Sequence, residues 1–113
     1  MSFIGAGHRS IAASSRHTVF RFPKYLCELV PDSPGVRRFS AIYIDNQDPK
    51  KFRREAEGVL LPIELRSLGD LRQHLSARSA ADFEQGRTVE LDGWILSRTE
   101  ADSLTLATLY RMG

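Results

Sequence analysis

Cysteine is almost absent from this chain, since Cys27 is the only one among 113 residues. One cysteine forms no intramolecular disulfide and no all-cysteine metal site. A fold that does not depend on disulfides suits a reducing compartment, so we expect a cytoplasmic protein. The apolar run around Cys27 predicts a core position for it.

Long apolar runs are also missing, because no stretch approaches the roughly 18–20 residues that cross a bilayer. We therefore predict no membrane segment. The composition, 42% hydrophobic and 27% charged, is ordinary for a globular domain, and the length suits one domain. The net charge of +2 is too small to indicate a nucleic-acid-binding protein by itself.

Acidic residues are absent from the first 27 positions, although four basic residues occur there: Arg9, Arg16, Arg21 and Lys24. We interpret residues 1–16 as a basic flexible arm and residues 17–113 as a single domain. The Ser- and Ala-rich composition of the arm is also typical of organellar transit peptides, so organellar import is the alternative to a cytoplasmic location.

Motifs for cofactors and catalysis are lacking as well. Gly5 and Gly7 begin a G-x-G pattern, but the third glycine and the downstream acid of a dinucleotide site are missing. The three histidines, His8, His17 and His74, have no metal-ligand spacing. We predict no cofactor, no metal ligand and no catalytic residue. A small enzyme remains an alternative, because single acid or base residues leave no sequence signature.

Segments rich in β-branched and aromatic residues predict strands, and an Asp92-Gly93 turn predicts a hairpin within residues 87–97. In the alternative interpretation of that region, the chain bends away at Gly93 after one strand. The other predicted strands are 17–22, 36–45 and 59–65. Because strands and helices mix along the chain, we predict a small single-domain α+β fold, with an antiparallel or mixed sheet of about four strands packed by three or four short helices.

Capping residues place the predicted helices. One begins near Pro23, and the next begins at Asp48-Pro49 and ends near Gly58. The others are a helix capped by Ser67 and Asp70, a short turn over residues 79–86 and a C-terminal helix capped by Thr99 and Asp102.

A cluster of cations marks the helix after Asp48. At about 100° per residue, Lys50, Lys51, Arg53 and Arg54 share a broad face opposite Phe52. Arg37 and Arg38 extend this set to six basic residues. We predict that they form a site for a phosphate group or an acidic partner.

The C-terminal helix is apolar on more than one side, since Leu104 and Leu106 lie about 200° apart. Such a helix is either buried on two sides or docks on a partner. We predict an interface made by Trp94, Leu106, Leu109 and Tyr110, with burial in the core as the alternative.

These patterns predict an interaction or accessory module that acts by protein–protein docking, including self-association. The first alternative is a small nucleic-acid-binding or regulatory protein that uses the basic arm and the 50–54 face. The second is the small enzyme with unrecognised acid or base residues.

Overall fold

The computed structural model describes residues 21–113, which are predominantly helical. The predicted four-stranded sheet is wrong, because these residues form five helices and one two-stranded antiparallel sheet. The helices are α1 (the described part is 21–29), α2 (Pro34–Tyr43), α3 (Pro49–Leu60), α4 (Leu68–Glu84) and α5 (Arg98–Met112). The strands are β1 (Thr88–Leu91) and β2 (Trp94–Ser97).

The segment 36–45, predicted as the best strand, belongs instead mainly to α2. Ser33 caps this helix, because its side chain accepts a hydrogen bond from the Val36 amide at 3.2 Å. Pro34 follows in the first turn, where a proline is favourable. Val36 and Phe39 are buried at helical spacing. Burial of this stripe outweighs the β propensity of the individual residues.

The predicted strand 59–65 is also wrong. Helix α3 continues through Gly58 to Leu60, and most of the segment after it has no regular structure. Residues 1–16, the predicted arm, and residues 17–20 of the first predicted strand lie outside the described residues. Residues 21 and 22 belong to α1, and Phe22 is buried in the core.

The predicted hairpin is confirmed. Strand β1 pairs with β2 in a register that places Leu91 opposite Trp94 and Thr88 opposite Ser97. Asp92 and Gly93 occupy the two-residue turn with φ of 54° and 81°. These two positive values fit a type I′ turn, in which Asp-Gly is a preferred pair.

Two of the predicted helix caps are confirmed, and two other predicted helix boundaries differ in the structure. The Asp48 and Ser67 caps are confirmed, since their side chains accept from Lys50 N and Asp70 N. The separate turn predicted over 79–86 is instead the end of the 17-residue α4. Helix α5 is capped by Ser97 rather than Thr99, with Glu100 as the partner in a capping box.

Helix α5 lies at the centre of the fold and packs against α2, α3, α4 and the hairpin. Leu106 is fully buried, among core residues that include Phe22, Leu26, Phe52, Leu60 and Leu71. The helix also buries polar residues, among them Thr99, Asp102, Ser103, Thr105 and Thr108. Neighbours on several sides therefore explain its lack of a single apolar stripe. Among the helices described, none is long and apolar enough to span a membrane.

Candidate binding groove

An apolar groove of about 600 Å³ lies between the end of α1, helix α4, strand β2 and the first turns of α5. We call it the α4–hairpin groove. Its walls carry large apolar side chains from all of these elements: Leu29, Leu75, Phe83, Trp94, Leu96 and Leu104. Phe83 keeps 49% of its surface exposed, which is unusual for a phenylalanine.

Small residues on α4 explain why the groove is open. Between Leu75 and Phe83, the residues of α4 that line it are Ser76, Ser79 and Ala80. These side chains are too short to fill the space beneath Trp94 and Leu96. The groove is thus a consequence of the sequence "SARSAA" in the middle of a long helix.

Trp94 forms a fixed wall of the groove because aromatic residues support its ring. The ring centroids of Phe39 and Trp94 are 5.9 Å apart, and Phe39 itself stacks on Tyr43 at 5.5 Å. Gly35 approaches the indole from α2, where an added Cβ would lie 3.5 Å from Trp94 Cζ2. These contacts orient the indole before any ligand binds.

A buried carboxylate ties the end of α4 to the start of α5. Asp82 Oδ2 accepts from Thr99 N at 2.7 Å and from Thr99 Oγ1 at 2.6 Å. Asp82 Oδ1 accepts from Arg87 Nε at 3.0 Å and lies 2.9 Å from Arg87 Nη2. Burial acts to raise the pKa of Asp82, but the bonds from Thr99 and Arg87 outweigh it and hold that pKa below its ordinary value.

The hydroxyl groups near this carboxylate add a second connection. Ser97 Oγ lies 3.0 Å from Ser79 Oγ, and it also accepts from the Glu100 amide at 2.9 Å. Glu100 Oε1 in turn accepts from Ser97 N at 2.8 Å. One end of the groove is therefore held rigidly, and the Glu100 carboxylate is already engaged.

The polar groups that are not engaged lie elsewhere on the wall. Arg72 is exposed at the rim, and no carboxylate within residues 21–113 forms an ion pair with it. Ser103 is 6% exposed, and its Oγ has no hydrogen-bond partner in the described chain. A ligand of this groove would therefore meet mostly carbon, with one cation at the edge.

The four predicted interface residues do not share one surface. Trp94 lines the α4–hairpin groove, but Leu106 is fully buried in the core and offers no area to a partner. Leu109 is half-buried beside a different cavity, between α2 and α5. Tyr110 donates to Glu57 Oε2 at 2.6 Å and lies under Arg53, which is 5.0 Å from its ring centroid. Helical spacing alone could not distinguish these environments.

Half of the six predicted anion-binding residues are engaged with carboxylates. Arg37 pairs with Asp32 at 2.6 Å, Arg38 with Asp92 at 3.0 Å, and Arg53 with Glu57 at 3.3 Å. The remaining three, Lys50, Lys51 and Arg54, are exposed on α3, with no ion pair to another described residue. Nucleic-acid binding by this face stays a prediction.

Two parts of the site were not predicted from the sequence. The sequence patterns place neither Leu75 nor Phe83 on a binding surface, although the run of small residues between them was a usable signal. Asp82 left no signal of its own, because its donor Thr99 is 17 residues away. Residues 21–113 contain no group of three or more His, Cys, Asp or Glu side chains that could hold a metal ion.

No protein-family model, curated protein or solved structure matches this chain. The ligand class of the groove is therefore inferred from the groove's own geometry and charge.

Proposed function

We propose that this chain is a non-catalytic docking module. It binds an amphipathic segment of a partner protein, one that carries apolar side chains and an acidic residue, in the α4–hairpin groove. The observation that carries the proposal is the apolar wall formed by exposed Phe83 and half-buried Trp94, in the same groove as Arg72, a cation with no ion pair to a described acidic residue. A cytoplasmic location and self-association stay predictions.

The apolar wall supports a macromolecular ligand because of its composition. Aromatic residues held in place by their neighbours contribute strongly to interfaces, since little side-chain entropy is lost on binding. Trp94 meets this condition through its contact with Phe39. A groove of about 600 Å³ has room for a few apolar side chains, because pockets of about 300–1,000 Å³ enclose most of a drug-sized ligand.

The charge along α4 supports an acidic residue in the partner. Between Leu71 and Ala81 the charged residues of this helix are Arg72 and Arg78, with no Asp or Glu. Charge complementarity at a rim increases the rate of association and discriminates between partners. A segment with a lysine in place of the acidic residue should therefore bind more weakly.

A peptide pair tests this proposal. The two peptides form the same amphipathic helix with identical leucines, and differ only by one Glu or Lys placed to face Arg72. Binding is followed by the fluorescence of Trp94, which is the only tryptophan of the chain. We expect the Glu peptide to bind more tightly, and the Arg72→Glu variant should reverse this preference.

Two leucine substitutions on α4 separate the groove from the rest of the helix. Ser76 lines the groove and Ala77 does not, although both are exposed. Ser76→Leu should fill the groove and weaken the Glu peptide about tenfold or more, whereas Ala77→Leu should leave its affinity unchanged. Equal effects of the two variants, or no response of Trp94 to either peptide, would contradict the proposal. So would dimerisation of the unaltered protein that Ser76→Leu abolishes, because a second copy would then occupy the groove.

A further inference from the structure

A second buried carboxylate faces a separate cavity on the other side of α5. Asp102, which is 8% exposed, lines a cavity of about 420 Å³ between α2, α3, β1 and the N-terminal part of α5. The other walls include two aromatic rings, Tyr43 and Phe52, and two valines, Val59 and Val89. Glu55 and Arg98 are the other charged residues in the lining.

The hydrogen bonding of Asp102 is incomplete. Tyr43 OH donates to Oδ1 at 2.8 Å, whereas Arg98 Nε is 3.6 Å from the same oxygen, beyond hydrogen-bond distance. Oδ2 accepts no hydrogen bond from residues 21–113. An ionised carboxylate has about four acceptor positions, so most of this capacity is unused. Burial accordingly raises the pKa of Asp102, and the Tyr43 hydroxyl and Arg98 charge offset that only in part.

The charges of the cavity favour a cation. Two carboxylates, Asp102 and Glu55, face one guanidinium, that of Arg98, which leaves one negative charge in excess when all are ionised. The Arg98 side chain is 62% exposed, so it can move toward solvent without leaving a buried charge. Tyr43 and Phe52, whose ring centroids are 6.1 Å apart, present aromatic surface, which also attracts cations.

We propose that this cavity binds a primary ammonium group attached to a small apolar body. The ammonium donates to Asp102 Oδ2 and lies near Glu55, while the apolar body packs between Phe52, Val59 and Val89. The same chemistry is supplied by a free alkyl- or arylamine and by the lysine side chain of another protein. The site is distinct from the α4–hairpin groove, so neither proposal depends on the other.

A set of three probes tests the chemistry. Benzylammonium carries the proposed group, benzyl alcohol has nearly the same shape without the charge, and a short acetylated, amidated peptide supplies a lysine side chain. Binding is measured from the chemical shifts of backbone amides around Asp102. We expect benzylammonium to bind about tenfold or more tightly than benzyl alcohol, because a charge-assisted bond replaces a neutral one. If benzylammonium binds more tightly than the lysine peptide, the ligand is a free amine; if the peptide binds more tightly, the ligand is a lysine side chain of another protein. Either result supports the proposal.

Matched variants locate the binding. Asp102→Asn should weaken benzylammonium about tenfold or more, and Glu55→Gln should weaken it a few-fold. Glu90→Gln is the control, because Glu90 is an exposed glutamate of β1 that lies outside the cavity. Val59→Phe fills the cavity from a half-exposed position and tests the site without changing a charge. Equal affinity for the alcohol and the ammonium, full affinity in Asp102→Asn or Val59→Phe, or no shift at tens of millimolar would overturn the proposal.

Discussion

Asp82 and Asp102 are two aspartates buried to a similar extent, 2% and 8% exposed, near the same end of α5, yet their pKa values move in opposite directions. Burial acts to raise both. Asp82 has four donors from Thr99 and Arg87, whereas Asp102 has one short bond from Tyr43 and a more distant Arg98. At Asp82 the hydrogen bonds and the Arg87 charge outweigh the effect of burial, whereas at Asp102 burial outweighs them, so this balance decides the sign of each pKa shift.

The difference in hydrogen bonding also indicates different roles: a structural role for Asp82 and a binding role for Asp102. The chain itself satisfies Asp82, and that carboxylate joins α4, the hairpin and α5 at one end of the α4–hairpin groove. Asp102 lines a cavity with an oxygen to which no donor of the described chain is assigned. We therefore expect substitutions of Asp82 to change stability first, and those of Asp102 to change binding first.

The largest effect is expected for Asp82→Asn. The amide loses charge-assisted bonds to Thr99 and Arg87, and its NH₂ group faces donors instead of acceptors. We expect the free energy of unfolding to fall by about 2–4 kcal/mol, measured by urea denaturation. Glu84→Gln, an exposed position on the same helix, is the control and should change it by less than about 0.5 kcal/mol. Equal losses in the two variants would mean that Asp82 does not join the elements as described.

A smaller effect is expected for the serine hydroxyl groups of the same region. Ser97→Ala removes the cap of α5 and the contact with Ser79, so it should cost about 1–2 kcal/mol. Ser103 is similarly buried but its hydroxyl has no partner in the described chain. Ser103→Ala should therefore be nearly neutral in the same urea experiment. If Ser103→Ala lost as much stability as Ser97→Ala, the Ser103 hydroxyl would have a hydrogen-bond partner, and the expected difference between the two serines would be wrong.

For Asp102→Asn we expect the free energy of unfolding to change in the opposite direction from that of Asp82→Asn. Asparagine keeps an oxygen to accept from Tyr43, and it removes a charge that burial disfavours. Arg98 loses a partner, but its exposed side chain remains hydrated. The free energy of unfolding should rise by up to about 1 kcal/mol near pH 7. A loss above about 1 kcal/mol would show that the pair with Arg98 stabilises the fold more than burial destabilises it.

The smallest effect should be the pH dependence of the stability that Asp102→Asn gains. The change with pH cannot exceed that gain in the free energy of unfolding. A raised folded-state pKa means that the native protein binds this proton more tightly than the unfolded chain. The penalty from Asp102 is therefore present at neutral pH and fades as the pH falls through its folded pKa toward the unfolded value near ~4. The advantage of Asp102→Asn should shrink over that range, measured by urea denaturation at several pH values.

Asp82 provides the matched contrast to this titration. Its lowered pKa gives stability that is present above ~4, the ordinary value, and is lost as the pH falls through the lower folded value. The difference in the free energy of unfolding between the unaltered protein and Asp82→Asn should therefore persist down to pH ~4 and shrink only below it. The two variants would lose their contrast if both differences faded over the same pH range.

The local signals in the sequence determined several features. The Asp48 and Ser67 caps and the Asp92-Gly93 turn were predicted correctly, because each depends on residues within a few positions of one another. Their hydrogen bonds and backbone angles need few contacts with distant residues. The start of α5 differs from the prediction, because Ser97 and Thr99 are both suitable cap residues and Ser97 is the one that caps the helix.

Tertiary structure decided the features that depend on distant residues. Residues 36–45 have β-type composition, but packing of α2 against α5 makes most of them helical. Leu106 faces the core, because its exposure is set by the four elements around α5. The two aspartates differ for the same reason: Thr99 is 17 residues from Asp82, and Tyr43 is 59 residues from Asp102. Arg87 and Arg98 lie within five residues of these carboxylates, but Thr99 and Tyr43 reach them only in the folded chain.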